Sequence, residues 1–350
     1  MAIRIGIVGC GAIANLHAAS YQKLGDRVEL VACCDVEKER ADAFVERYGF
    51  KKSYSDEKQM LEECELDAVS VCTWNSQHKP CTMLALDAGV NVLCEKPMAM
   101  NTAEALEMEE CARRNGKLLM IGFVRRHGND AATALDFINK GYLGDIYCAK
   151  VSYLRRAGFP GNWFGDKSYS GGGPLIDLGV HMIDLSMWLM GNPTPVAVSG
   201  CTYTKFADND VSDSVHSSFG EKKSGGTFDV EDLAMGFIRF DNGASMQIEF
   251  SWASNIEKET RFCELRGDKA GAYWSEDSLK IFGEEYGSTY DTVVNAKDGD
   301  LPLHANNIFH FADVVLNGAK PDFEPIQGLN IVKILEAMYK SAAEGREIAL

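Results

Sequence analysis

The strongest constraint on the fold is an alternation that recurs five times in the first 122 residues, in which a short apolar run is followed by a run with helical spacing. "IRIGIV" at 3–8 enters glycines and is followed by "ANLHAASYQKL". "VELVACCD" ends at Asp35 and precedes the charged run "EKERADAFVERYG". "DAVSVCT" leads into "HKPCTMLALDAG", and "VNVLCEKP" into "NTAEALEMEECARRNG". In the last of these Asn101 is a cap, Glu104 follows three residues on, and Gly116 closes the helix. "KLLMIGF" is the fifth strand. Buried strands joined by helices build a parallel sheet with right-handed crossovers, an α/β fold.

After about residue 123 the period changes. "DAATALDFINKG" is helical, but "DIYCAKVSYLRR" and "DLAMGFIRFDNGASMQIEFSW" alternate apolar and polar residues, with Asp241-Asn242-Gly243 as a hairpin turn. "TRFCELRGDKAGAYW" and "SLKIFG" continue the pattern, which describes a mostly antiparallel sheet with a helix or two. "GLNIVKILEAMYKSAAEG" closes the chain as an amphipathic helix, and "EKKSGG" at 221–226 reads as an exposed loop. The expected division is a parallel α/β domain at 1–122, a domain built on the antiparallel sheet at 123–330, and a closing helix and tail at 331–350 packed back on the first domain.

Composition narrows the function. A net charge of −16 over 350 residues disfavours nucleic acid and anionic membranes as partners. It also means that an anionic cofactor has to be held by local groups. No uncharged apolar run approaches the roughly 18 residues of a membrane span, and the start of the chain reads as a strand and turn rather than a leader. Eleven cysteines without CxxC pairs, several of them in apolar runs, suggest reduced thiols and a cytoplasmic location.

"GIVGCGAIA" supplies Gly9-x-Gly11-x-x-Ala14 between strand and helix. The first glycine permits a tight turn, the second lets backbone approach a pyrophosphate, and the small third residue lets helix pack on strand. With Ala12 and Ile13 at the helix start, these residues form a phosphate cradle at a positive helix end. Asp35 ends the next strand, where its carboxylate suits the ribose hydroxyls of NAD and repels the 2′-phosphate of NADP. Arg40 lies close enough in sequence to blunt that preference, which leaves NADP open. Thr73, Trp74, Asn75 and His78 follow the third strand, where ligands of such sheets sit, although Asn75 and His78 also suit a turn and a helix cap. Glu95, Lys96 and Pro97 follow the fourth strand and open onto the same crevice.

In "SGGGPLIDLGVHMIDLSMWLMG", Pro174 is expected at a first helical position, and Asp177, His181 and Asp184 then share one face at i, i+4 and i+7. Ile176, Ile183 and Met187 fall on the opposite side. His181 has the side chain best suited to proton transfer near neutral pH. Asp177 and His181 are also spaced as metal ligands, but no clear third ligand follows and no metal is expected. The preceding stretch holds Arg155, Arg156, Trp163 and Lys167, groups that stack on sugar rings or bond hydroxyls. Its other reading is a core tryptophan beside a solvated strand edge.

Together and in this order, Gly9-x-Gly11-x-x-Ala14, "CTWNSQHKP", "CEKPMAMN" and "GGGPLIDLGVHMIDL" resemble the glucose–fructose oxidoreductase and inositol dehydrogenase family (Gfo/Idh/MocA). The resemblance implies an N-terminal Rossmann domain and a C-terminal α/β domain with a large open sheet, often used for homo-oligomer contacts as dimer or tetramer. It implies NAD and oxidation or reduction of a sugar, glycoside or cyclitol. Carried over, Lys96 matches the catalytic lysine, and Asp177 and His181 match the substrate-handling pair. Arg155 and Trp163 fall in the substrate-facing segment. Trp74 stands where many relatives have proline. His181 is the first choice as general base, but the roles of Lys96 and His181 are interchangeable at this level. Keto-sugar reduction and glycoside cleavage with recycled NAD stay open as alternatives.

Overall fold

The computed structural model describes residues 2–206, 227–275, 278–296, 299 and 301–350, and the loop expected at 221–226 lies outside them. The chain divides into two compact units, Met1–Val124 with Leu301–Val332, and Arg125–Asp300 with Lys333–Leu350. This corrects the expected boundaries near 330. The chain returns to the first unit before the closing helix, and its last residues belong to the second.

The first unit is built on a parallel sheet of β1 (Ile3–Val8), β2 (Val28–Cys34), β3 (Lys52–Tyr54), β4 (Ala68–Val71), β5 (Asn91–Cys94) and β6 (Leu119–Ile121). Their order, β3-β2-β1-β4-β5-β6, is that of a doubly wound dinucleotide fold. The connecting helices are α1 (Ala12–Gln22), α2 (Lys38–Tyr48), α3 (Glu57–Glu63), α4 (His78–Asp87) and α5 (Thr102–Asn115). Strands β1, β4 and β5 are apolar because both faces are covered, and Ile5, Ile7, Val69, Val71, Val92 and Leu93 are buried. The Asn101 side chain accepts from the Glu104 amide, as its spacing predicts, and Gly49 and Gly116 close α2 and α5 in left-handed conformation.

The second unit begins with α6 (Asn129–Asn139) and β7 (Ile146–Leu154), followed by the single turn α7 (Lys167–Ser170) and α8 (Val180–Leu189). Strands β8 (Pro195–Tyr203), β9 (Leu233–Phe240), β10 (Ser245–Ser251), β11 (Thr260–Gly267), β12 (Ala270–Ser275), β13 (Ser278–Glu285) and β14 (Ser288–Val294) complete most of its sheet. Helix α9 (Leu303–Asn317) returns to pack on α1 in the first unit, α10 (Pro325–Glu344) follows, and β15 (Ile348–Ala349) pairs with β8. The nine strands run in the order β14-β13-β12-β11-β7-β10-β9-β8-β15. Only β7 and β10 pair in parallel; the other neighbours are antiparallel.

Period two divides this sheet into two faces. On one, Val151, Ile238, Ile248, Phe250, Cys263, Leu265, Trp274 and Ile281 are buried, and α6 and α8 pack over this region. Asp130 of α6 accepts from Trp274 Nε1 at 2.6 Å. The other face carries the register row Ser199, Phe237, Gln247, Lys150, Glu264, Tyr273 and Lys280.

Helix α8 is not the two-sided helix that its spacing suggests. Apart from His181 and Trp188 its residues are buried nearly all round, as in a helix enclosed by its own unit. Asp184 in particular faces inward and pairs with Arg126, whose Nε and Nη2 approach its carboxylate at 2.9 Å and 2.5 Å. Both side chains are 1% exposed. Removing one partner takes a charge-assisted contact from the other in a buried setting. We expect Asp184→Asn to lower the unfolding free energy by about 3–5 kcal/mol, read by urea denaturation. The apolar double replacement Arg126→Met/Asp184→Leu should recover most of that loss.

Candidate active site

The first unit places its candidate residues at the carboxyl ends of β1, β4 and β5, around the point where strand order reverses. Gly9 has φ +86°, and a Cβ there would lie 2.8 Å from the backbone carbon of Cys72, so the β1–α1 turn rests directly on the end of β4. Gly11 is the opposite case. It caps α1 in extended conformation, no side chain caps the helix, and a Cβ on Gly11 would enter open space. Ala14 is fully buried where helix meets strand, while Ala12 is exposed and Ile13 half-buried. A bare helix start beside an open notch suits a pyrophosphate.

Asp35 sits at the end of β2, buried, and accepts from the amides of Cys10 at 2.8 Å and Glu37 at 2.9 Å. Its carboxylate therefore bridges the glycine turn and the β2–α2 loop. Arg40 lies 3.9 Å from it and 3.0 Å from Glu37 Oε2. Thr73 is half-buried and Trp74 exposed beyond β4, whereas Asn75 is buried.

His78 departs from the expectation that it lines the crevice. It is 1% exposed, with Nδ1 2.6 Å from the Pro97 carbonyl and Nε2 3.3 Å from that of Thr73. Burial pushes its pKa down against the two carbonyls, and its ring sits between the loops after β4 and β5. Glu95 and Pro97 are buried as well. Glu95 accepts from His17 Nε2 at 2.9 Å and from the Lys96 amide at 3.2 Å, and Gly122 leaves it room. Burial alone would raise the Glu95 pKa, but His17, His304 and Lys96 hold it at about 2. Lys96 itself is half-buried, displayed by a loop whose neighbours are locked.

In the second unit, Pro174 leads into a wide π turn, Leu175–Gly179, before α8 begins. The turn rotates Asp177 relative to α8, so Asp177 and His181 are half-buried while Asp184 is enclosed. Asp177 Oδ2 accepts from Trp252 Nε1 at 2.9 Å, which fixes the carboxylate. The glycines before the turn are needed for close approach, since a Cβ on Gly173 would lie 2.0 Å from the Glu231 carbonyl. Glu231 is buried, and its carboxylate receives the amides of Gly173 at 2.9 Å and Leu175 at 3.1 Å and the Tyr339 hydroxyl at 3.0 Å. Trp252 and Glu231 were missed by sequence reasoning because they lie far along the chain from the turn they support.

Arg155 donates to the Gly158 carbonyl at 2.9 Å and to the Tyr153 hydroxyl at 3.2 Å, so it is fixed at the end of β7. Trp163 is half-buried and stacks on Phe164 with centroids 4.1 Å apart. Among the described residues no group of three or more His, Cys, Asp or Glu side chains is placed to hold a metal, and no helix is long and apolar enough to cross a membrane. All eleven cysteines are free.

Residues 3–123 match the family model described as "Oxidoreductase family, NAD-binding Rossmann fold", and residues 131–273 match the GFO/IDH/MocA C-terminal domain. The chain is 35% identical to D-glucoside 3-dehydrogenase of Escherichia coli K12, covering 99% of this chain and 97% of that one. It is 24% identical to myo-inositol 2-dehydrogenase of Thermotoga maritima, covering 95% and 100%. The fold is shared with a solved structure of levoglucosan dehydrogenase in complex with NADH, at TM-score 0.86, 21% identity, and coverage of 100% and 99%. The chain therefore belongs to the Gfo/Idh/MocA family and is an NAD-dependent oxidoreductase.

Two outcomes follow from this geometry. Gly11→Val adds bulk only in the open notch, so melting temperature should hold while NAD affinity, by calorimetry, falls at least about tenfold. Glu95 titrates from an unfolded value near 4.5 to a folded value of about 2. Its contribution is complete above the unfolded value and is lost as pH falls through about 2. His17→Phe should cost roughly 2–4 kcal/mol at neutral pH and flatten the acid limb of a stability–pH curve.

Proposed function

We propose that this chain oxidises a secondary alcohol of a pyranose glycoside or cyclitol, with the reverse reduction of the keto-sugar accessible to the same site. The observation that carries the reading is the Asp177–His181 pair, a carboxylate fixed by a tryptophan and an imidazole four residues on, both half-buried at a preformed turn. Full-length likeness to a glucoside 3-dehydrogenase favours a glucoside as substrate and C3 as the carbon oxidised.

Bound NAD supplies the hydride acceptor. His181 takes the hydroxyl proton as general base, and Asp177 orients the imidazole or a neighbouring hydroxyl. Lys96 donates to the reacting oxygen and stabilises the alkoxide charge that grows there. Arg155 and Trp163 contact the sugar. Gly9, Gly11, Ala12, Ile13 and Ala14 hold the pyrophosphate, and Thr73, Trp74 and Asn75 border the nicotinamide side. Asp35 takes the ribose hydroxyls and disfavours NADP, while Arg40 is drawn towards Glu37.

We assign the protein to the cytoplasm, which its free thiols support. A homo-oligomer is supported by the other sheet face, where among the described residues Met235 and Tyr203 are exposed and Arg239 lies over the Phe237 ring.

NAD reduction with a panel of methyl and aryl glucosides, hexoses and inositols tests the reading, assayed in both directions with the corresponding keto-sugars. Lys96→Ala should lower kcat by about 10²–10³ and leave the NAD dissociation constant within a few-fold. Unchanged turnover removes Lys96 from the mechanism.

A further inference from the structure

The closing helix supplies a group that the proposed chemistry leaves unused. Met338 and Ser341 lie three residues apart on α10 and share one face. Side chains at Gly200 of β8 and Gly236 of β9 would collide with Met338, so the two strands admit the helix because both positions lack a Cβ. The Ser341 hydroxyl accepts from the Gly200 amide at 2.9 Å and donates to the Arg346 carbonyl at 2.6 Å. In sequence these anchors flank Tyr339.

Tyr339 itself meets the glycines before the π turn. Its hydroxyl donates to Glu231 Oε1 at 3.0 Å, and a Cβ on Gly172 would collide with it. The Lys167 ammonium lies 5.7 Å from the ring centroid. Burial and the neighbouring carboxylate push the phenol well above its usual range, so it stays a donor. Glu231 therefore receives the phenol and the Leu175 amide on Oε1 and the Gly173 amide on Oε2. The last torsion of a glutamate is soft, and a third donor carried by an anchored helix removes that freedom.

The residue after Glu231 reaches Asp177 by a second route. The Asp232 carbonyl accepts from the Trp252 amide at 3.0 Å, and the Trp252 indole holds Asp177 Oδ2 at 2.9 Å. Residues 231 and 232 thus fix both the turn that carries Asp177 and the indole that orients its carboxylate.

We propose that Tyr339 is a positioning residue for the oxidation: its hydroxyl locks the Glu231 carboxylate onto the Gly173 and Leu175 amides and so sets where Asp177 meets the sugar. The inference rests on the role of Asp177 proposed above and adds the closing helix to that site. Tyr339 acts through Glu231 and the turn, not on the reacting atoms. Its loss should fall on kcat more than on binding, because rate drops steeply when a reacting group is displaced by a fraction of an ångström.

The test uses full-length protein, NAD and an aryl glucoside. Tyr339→Phe removes one oxygen and keeps the ring. It should lower kcat about tenfold and leave KM and the NAD dissociation constant within about threefold. In an Asp177→Asn background the same replacement should cost nothing further, since its effect runs through Asp177. Amide hydrogen exchange over residues 171–180 should speed up at least about tenfold in Tyr339→Phe, while the rest of the second unit exchanges as before. Unchanged kcat overturns the inference, as does an equal fractional loss in both backgrounds, which is what a packing role alone would give. Exchange at the level of the unaltered protein overturns it as well. If no sugar is oxidised, or Asp177→Asn leaves turnover unchanged, the reading of Asp177 fails separately, and exchange then decides whether Tyr339 holds the turn.

Discussion

A carboxylate buried beside backbone amides is the interaction on which both chemical turns depend. In the first unit Glu95 is enclosed at the end of β5, bonded to His17 of α1 and to the amide of Lys96. In the second, Glu231 gathers the amides of Gly173 and Leu175 at the mouth of the π turn. Each removes conformational freedom from the backbone beside a proposed site residue, so Lys96 or Asp177 is presented with little ordering left to do.

Glycine serves the same end in different ways. At Gly9 and Gly173 a side chain would collide with backbone a few ångströms away, so the turns sit against β4 and against Glu231. At Gly11 nothing is displaced, and the missing Cβ leaves space. The first two positions build the scaffold, and the third is where the proposed reading seats the cofactor's phosphates.

Much of this was legible in the sequence. The apolar runs before Gly9, Cys72 and Lys96 are strands because parallel sheets bury both faces, and their order gave the parallel unit. The short β3 and α3 escaped notice because three strand residues beginning with two exposed or half-exposed positions carry no periodic signal. Helix α9 was obscured by polar residues such as the buried Asn307, which interrupt its apolar stripe. In the second unit, spacing put Asp184 on one face with Asp177 and His181, whereas the structure encloses it beside Arg126. A regular helix was assumed where the chain makes a wider turn, and Arg126, the true partner of Asp184, lies 58 residues away. His78 illustrates a similar limit, since sequence places it at a strand end but cannot say whether its ring turns outward or in.

The lone parallel pairing of β7 with β10 has a consequence for how the second unit is made. Strand β7 is the earliest of its sheet to be synthesised, yet Cys148 aligns with Ser245 and Thr260 with Leu154. Its amides and carbonyls stay unmatched until most of the unit has left the ribosome. Nucleation therefore cannot begin from a local hairpin on β7, and assembly has to close a long loop first. Until then a partly apolar edge is open to any other strand, which is the stage at which mispairing costs this unit most.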